Sequence, residues 1–327
     1  MFVRVSGRVQ VELSSMNAQG VVGNISEIAK AHIVVRGQDG YELVEVPVVT
    51  GNSLKHWHFV HFVEEYRKLG GTSLCEFCAR GVGYRTPRRA PREELSEAYF
   101  VRTCAGEDVH GFLQPDDQIR RESLVRVSFL VPAEVVPESY IDTLVHNRVV
   151  VSEEGRIQGE RGEARAAAMM LFKRQYSSSV YGFNFVLDLG YVGRLLHDGD
   201  HKKVVDDEEI ARRVRAAIAA FVPLLSGVMG AYAARAQPVV RVLELLAVAS
   251  ERPIPALTHG RYADYVEEGL GALAAYAKLT KVEAAIHHYG VADRVSAIEP
   301  SLREAGLEVR EHKRWYDIFT EMAESVG

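Results

Sequence analysis

Residues 3–13 alternate with a period of two. Val3, Val5, Val9, Val11 and Leu13 fall on one side, and Arg4, Ser6, Arg8, Gln10 and Glu12 on the other. Successive strand residues point to opposite faces, so this stretch predicts a half-buried strand with its valines on a core. Such a strand needs partners, and later apolar runs supply them. Residues 32–36 and 41–49 flank Gln38-Asp39-Gly40, a hairpin signal in which glycine takes the positive φ of the turn. Residues 124–131, 145–151, 181–189 and 240–248 read as further strands. The polar, glycine-bearing stretch from Ser14 to Lys30 reads as a long loop. Thr50-Gly51-Asn52-Ser53 offers helix caps and predicts a helix over 53–69. A second helix, over 206–224, carries Ile210, Val214, Ile218 and Phe221 on one face. Its first turn is acidic, Asp206 to Glu209, where the helix dipole favours negative charge. Residues 260–278 and the tail from Glu311 complete the predicted helices.

The order strand, hairpin, helix, insertion, strands, helix, strand fits an α+β fold. The expected form is an elaborated ferredoxin-like or RRM-like sheet with helices on one face. The chain's 327 residues suffice for one large or two ordinary domains, and 47% apolar residues can fill a core. Residues 70–118 read as an insertion. The first residues lack the build of a signal peptide, and no apolar run is long enough for a bilayer, which reads as cytoplasmic. The net charge of −5 argues against indiscriminate coating with nucleic acid. A local basic groove is nevertheless enough to bind RNA, so the placement of arginines decides the matter.

Basic residues recur at the ends of predicted elements. An acid-free run over 80–92 holds Arg80, Arg85, Arg88, Arg89 and Arg92, broken by Pro87 and Pro91. Arg120-Arg121, His146-Asn147-Arg148 and Lys173-Arg174 are further spots. Each alone is ordinary solvated surface, but element ends are where loops present donors to phosphates. Lys55 and His56 lie beside a helix N-terminus, a natural anion position. Residues 223–235 are rich in small side chains. Gly227, Gly230 and Arg235 there suit a loop laid against a sugar–phosphate backbone, although helix capping alone explains one glycine.

Two clusters raise metal chemistry. His58, His61 and Glu65 share one helical arc, but Lys68 lies on it too and no H-E-x-x-H pattern is present. A polar face on a mostly buried helix is the favoured reading. Only three cysteines occur, which excludes a disulfide scaffold. Cys75-x-x-Cys78 has Cys104 and His110 as candidate partners for a structural zinc; the alternative is two small buried thiols on a turn. No other cofactor is implied. There is no G-x-S-x-G, no paired-carboxylate motif and no dinucleotide fingerprint.

Several blocks then converge. S-M-N-A-Q-G-V-V-G-N follows the first strand, and V-P-V-V-T-G-N-S-L-K-H-W-H-F comes next. D-V-H-G-F-L, R-R-E-S-L-V-R-V-S-F-L-V-P, V-H-N-R-V-V-V and L-L-S-G-V-M-G-A-Y-A-A-R complete the set. In this order, over residues 1 to about 260, they resemble the DevR-type backbone subunit of the type I-A CRISPR Cascade, of the RAMP superfamily. The C-terminal segment matches less well, and the cysteine-bearing insertion is not a general feature of that family. The resemblance implies an RRM-like core over 1–69 and 120–327, a lid-type subdomain over 70–119 and a thumb-like insertion over about 146–180. It implies a non-catalytic subunit that grips guide RNA in head-to-tail copies, beside other Cascade subunits, and meets target nucleic acid through the guide. By position, Asn17, Gln19 and Asn24 should lie beside the RNA, and Lys55, His56, Arg120 and Arg121 should meet phosphates. His146, Asn147, Arg148, Arg174, Gly227, Gly230 and Arg235 should line its path. Two other classes remain as alternatives: a repeat-cleaving CRISPR endoribonuclease and a metal-dependent hydrolase.

Overall fold

A computed structural model describes residues 1–83, 95–115, 118–136, 139–149 and 169–326. The chain opens with β1 (Phe2–Ser14), β2 (Ala18–Val22), β3 (Ile25–Ile28), β4 (Lys30–Gly37) and β5 (Gly40–Pro47). Helix α1 (Gly51–Lys68) starts where the sequence placed its cap: the Thr50 hydroxyl accepts from the Ser53 amide at 3.3 Å. Short helices α2 (Glu76–Ala79), α3 (Glu97–Thr103) and α4 (Ala105–His110) follow. Then come β6 (Phe112–Gln114), β7 (Ile119–Arg121), β8 (Val125–Val127), β9 (Val131–Pro132), β10 (Tyr140–Val149) and the long β11 (Met169–Leu187). The helix expected over 206–224 is divided into α5 (Asp207–Ala219) and α6 (Phe221–Leu225). Pro223 lacks the N–H that a continuous helix would use there. The C-terminal part holds β12 (Val239–Ser250), α7 (Tyr265–Thr280), β13 (Ala284–Tyr289), α8 (Ala292–Glu304), β14 (Glu308–Glu311) and α9 (Trp315–Glu324).

The architecture is α+β around a mixed sheet. Among the described residues ten strands join it, along the path β14-β13-β12-β1-β11-β3-β2, with β8, β9 and β10 also on β11. Strand β1 sits at the centre, antiparallel to both β11 and β12. The β11–β3 and β13–β14 pairs are parallel. Val3, Val5, Val9 and Val11 face a core filled by Phe59 and Phe62 of α1, Ile218 of α5, Phe221 of α6 and Phe319 of α9. The opposite face of the sheet carries a second core. There Leu246, Val248 and Ile286 meet Val266 and Leu270 of α7 and Val295 of α8. Helices therefore cover both faces, not one. The strands β13 and β14, absent from the expected set, extend the sheet, and the unexpected helix α8 joins α7 in that second layer. No helix among the described residues is long and apolar enough to cross a membrane.

Three local expectations need correction. Strand β1 is not half-buried: Arg4, Ser6 and Arg8 lie beneath the segment after β12. Arg4 Nε donates to the Ile254 carbonyl at 3.0 Å, Ser6 to Thr258 at 2.7 Å and Arg8 Nε to Gly260 at 2.8 Å. Asp188 and Glu244 pair the two guanidinium groups, so the charges are buried with partners. Leu13, expected with the valines, is 55% exposed, because the register shifts between Val11 and Ser14 and Leu13 takes a φ of 53°. The stretch from Ser14 to Lys30 is not irregular. It forms the β2–β3 hairpin, which docks on β11 at Lys173 and Arg174.

Candidate nucleic-acid interface

The N-terminal half of β11 places basic and aromatic side chains alternately. Phe172 and Arg174 share a face by the period of two, and His146 sits opposite Phe172 on β10. The His146 and Phe172 rings stack at 5.4 Å, and the Arg174 guanidinium carbon lies 5.0 Å from the Phe172 ring centre. The same guanidinium lies 3.9 Å from the ring centre of Tyr232, which comes from the loop after α6. Imidazole, phenyl, guanidinium and phenol thus form one continuous stack across three chain segments. Hydrogen bonds hold its ends: His146 Nε2 with the Tyr176 hydroxyl at 3.0 Å, and the Tyr232 hydroxyl with Ser26 Oγ at 3.3 Å.

Beside the stack lies an open groove of about 740 Å³ lined by Asn24, Lys173, Arg174, Tyr232 and Arg235, among others. Arg235 is exposed and Arg174 is half-buried. Asn24 is fixed by its backbone, whose carbonyl accepts from Lys173 N at 2.8 Å. Such a surface offers cations for phosphates and ring faces for stacking, a combination that binds single strands with little sequence preference.

The glycine loop is built differently from expectation. Gly227 and Gly230 take φ of +87° and +97°. A Cβ on Gly227 would fall 2.7 Å from Val240 Cγ2, and one on Gly230 3.0 Å from the Met16 carbonyl oxygen. Their small size admits the chain's own β12 and the turn after β1. The Ala231 amide donates to the Met16 carbonyl at 2.8 Å, and His61 Nε2 of α1 donates to the Val228 carbonyl at 2.7 Å. The glycines and His61 thereby set the loop that carries Tyr232 and Arg235. Phe172 and Tyr232 were not among the expected site residues, and His61 was weighed only as a metal ligand. The F-K-R and Y-A-A-R spacings were the available signal for the two aromatics.

The other expected residues lie elsewhere. Asn17 Oδ1 accepts from the Thr50 amide at 2.9 Å and ties the β2–β3 hairpin to the start of α1. Gln19 Oε1 accepts from Lys30 N at 3.3 Å. Asn147 is exposed on β10; Arg148 follows it in the strand, but its side chain lies outside the described residues. Lys55 and His56 line a separate cavity of about 250 Å³ with Asn52, Glu107 and His110, where burial lowers the His56 pKa. Arg85, Arg88, Arg89 and Arg92 fall outside the described residues, as does most of the expected thumb. Arg120 is exposed.

Arg121 is the clear correction. It is 3% exposed, pairs with Glu97 at 2.6 Å and Asp108 at 2.7 Å, and donates to the carbonyls of Asp108, Tyr191 and Arg194. Its donors are committed inside the protein, so it has no surface to offer a phosphate. Arg213 of α5 shares the fully buried Asp108 at 2.9 Å.

His58 and His61 of α1 face inward, whereas His56 is exposed. His58 Nε2 donates to the Ala217 carbonyl at 3.0 Å, and desolvation lowers its pKa to about 4. Its Nδ1 meets His110 Nε2 at 3.0 Å, which turns His110 toward α1. The fourth group beside Cys75, Cys78 and Cys104 is instead Glu107. The four ligand atoms lie within 4.8 Å of one another. Cys104 and Cys78 donate toward the Cys75 sulfur and hold its pKa far below the usual thiol range. The same bonding and burial push Cys78 and Cys104 up. Desolvation, with the Cys75 charge beside it, raises Glu107 to about 9.

The model of the CRISPR-associated negative auto-regulator DevR/Csa2 family matches residues 5–270. The chain belongs to the DevR/Csa2 family. A Methanocaldococcus jannaschii protein named CRISPR-associated protein Cas7/Cst2/DevR is 42% identical over 281 residues, 82% of this chain and 87% of that one. A Thermoproteus tenax protein of the same name is 41% identical over 295 residues, 89% and 87% of the two chains. The CRISPR-associated aCascade subunit Cas7/Csa2 2 of Saccharolobus solfataricus is 25% identical over 271 residues, 76% and 80%. A chain from a solved CRISPR RNA-guided surveillance complex in a pre-nicking state matches at TM-score 0.50 and 12% identity, with full coverage of both chains, which speaks to the fold alone. The DevR/Csa2 match takes in the groove, the glycine loop and the cysteines. It ends within α7, so β13, α8, β14 and α9 lie beyond it.

Proposed function

We propose that this DevR/Csa2 chain is a non-catalytic RNA-binding backbone subunit of a Cascade-type surveillance complex in the cytoplasm, repeated head-to-tail along guide RNA. The observation that carries the reading is the groove on β11. Lys173, Arg174 and Arg235 converge there beside the His146–Phe172–Arg174–Tyr232 stack, in a chain of a CRISPR-associated family. Cations on a stacking platform grip a strand without reading it, which leaves the guide's bases to pair with a target.

The run β1-α1-β8/β9-β11-α5-β12, with lateral order β12-β1-β11-β8/β9, supports a ferredoxin-like or RRM-like core. Residues 70–119 then act as a lid and about 146–180 as a thumb. Exposed apolar side chains on the β4–β5 hairpin, Val34, Tyr41 and Leu43, support contact with a neighbouring copy or another Cascade subunit. A head-to-tail contact does not close on itself, so assembly should follow RNA length. The non-catalytic part rests on His58 and His61 of the α1 histidine arc, which hydrogen-bond backbone carbonyls inside the fold.

Light scattering of the pure chain with no RNA, short RNA and long RNA tests the assembly. Species that grow with RNA length are expected; one discrete oligomer under all three conditions refutes it. Repeat RNA incubated with the chain, with and without divalent metal, should stay intact. Cleavage abolished by changing a single histidine favours the endoribonuclease alternative.

A further inference from the structure

The three cysteines and Glu107 come together from two separate segments. Cys75 caps α2, and its sulfur accepts from the Cys78 amide at 3.4 Å, which wraps the turn around the thiols. Cys104 precedes α4, and Glu107 lies one turn into it. The Ala105 amide donates to the Ser73 carbonyl at 2.8 Å and locks the two segments side by side. Gly106 leaves room for the sulfur, since a Cβ there would fall 2.8 Å from Cys78 Sγ. All three cysteines are free thiols. Glu107 is 2% exposed, and its Oε1 has no hydrogen-bond partner. Buried carboxylate oxygens ordinarily have one, so this group points to a missing ligand.

We propose that Cys75, Cys78, Cys104 and Glu107 hold a structural zinc ion that fastens the insertion onto α1. Tetrahedral zinc, about 2.3 Å from sulfur and about 2.0 Å from oxygen, keeps its ligand atoms roughly 3.5–3.8 Å apart. Ligand atoms already within 4.8 Å of one another need only small rotations to close on it. Cys78, Cys104 and any other ligand still protonated give their protons to solvent on coordination, while Cys75 enters as the thiolate. The excess negative charge of three thiolates and a carboxylate borders the cavity that Lys55 and His56 also line. In sequence the arginine run lies between Cys78 and Cys104, so the ion fixes both ends of that basic segment. A second cluster, His287, His312 and Glu321, is less suited, because Glu321 already accepts from Arg310.

The test is metal content and coordination of the full chain, expressed with zinc and purified without chelator under reducing conditions. One zinc per chain is expected. X-ray absorption should show three sulfurs and one oxygen, with no imidazole scattering. His110→Asn should keep the metal. Cys78→Ser and Glu107→Gln should each weaken its retention tenfold or more against a chelator. Stripping the wild-type chain should lower its melting temperature, and zinc should restore it. A reduced wild-type chain that arrives metal-free and takes up neither zinc nor cobalt on titration overturns the proposal. So does an imidazole in the shell, or a disulfide among the three cysteines. These readouts do not depend on RNA binding, so the zinc site and the proposed function can fail separately.

Discussion

The Arg174 guanidinium lies over the Tyr232 ring, 3.9 Å from its centre, and so joins β11 to the loop that follows α6. Fifty-odd residues of chain separate the two side chains, and the contact between them forms one wall of the groove. A cation on a ring at a surface site contributes only about 0.5–1 kcal/mol. Its larger role is to aim the guanidinium's free N–H edge while the ring holds its face.

Arg174→Ala should therefore weaken binding to unrelated single-stranded RNAs by similar factors. Each lost phosphate contact should lower the salt dependence by roughly 0.7 in log–log slope. Titrations at several salt concentrations measure both. A loss confined to one RNA sequence, or a wild-type preference above roughly a hundredfold, about 2.8 kcal/mol, would contradict this backbone-gripping role.

Arg120 and Arg121, adjacent in sequence, should behave as opposites. Arg121→Ala leaves Glu97 and the buried Asp108 short of a partner, and removal of one member of a buried pair costs about 3–5 kcal/mol. Urea unfolding should show a large drop in midpoint for Arg121→Ala and almost none for Arg120→Ala. RNA affinity measured on folded protein should respond to Arg120 alone.

His61 is expected to act by position. Its Nε2 holds the Val228 carbonyl of the glycine loop at 2.7 Å. His61→Ala orphans that carbonyl, at about 1–3 kcal/mol in stability, and loosens the segment carrying Tyr232 and Arg235. RNA affinity should fall with the salt slope unchanged, since no phosphate contact is removed. A reduced slope would instead make His61 a direct contact.

Stability should decline on mild acidification. Burial lowers the pKa of His58 and of His287 from about 6.5 to about 4. Between those values the unfolded chain binds protons that the folded chain refuses, so stability rises with pH across the window and falls as pH drops from 6.5 to 4. His58 alone accounts for roughly 3 kcal/mol at one unit per 1.36 kcal/mol. Denaturant midpoints across this range should flatten in His58→Gln; an unchanged profile in that variant would remove His58 as the cause.

Local patterns were enough for much of the frame. The alternation of β1, the Gln38-Asp39-Gly40 turn between β4 and β5, the Thr50 cap and the face of α5 all rest on neighbours within a few residues, where periodicity and capping act. The small residues of the glycine loop stood out for the same reason, but not their packing against β12 and the turn after β1.

Other features depend on groups far apart in the chain. Arg4 and Arg8 read as a solvated face until residues 254–262 cover them, and Arg121 reads as a free cation until Asp108 and Glu97 close around it. Glu107 displaces His110 beside the thiols because His110 is drawn to His58 on α1. Phe172 and Tyr232 come together in one groove only when the loop after α6 lies against β11. A sequence shows which side chains carry charge and which repeat at a period. Whether a charge meets water or a partner depends on contacts across tens to hundreds of residues, and only the folded chain makes those.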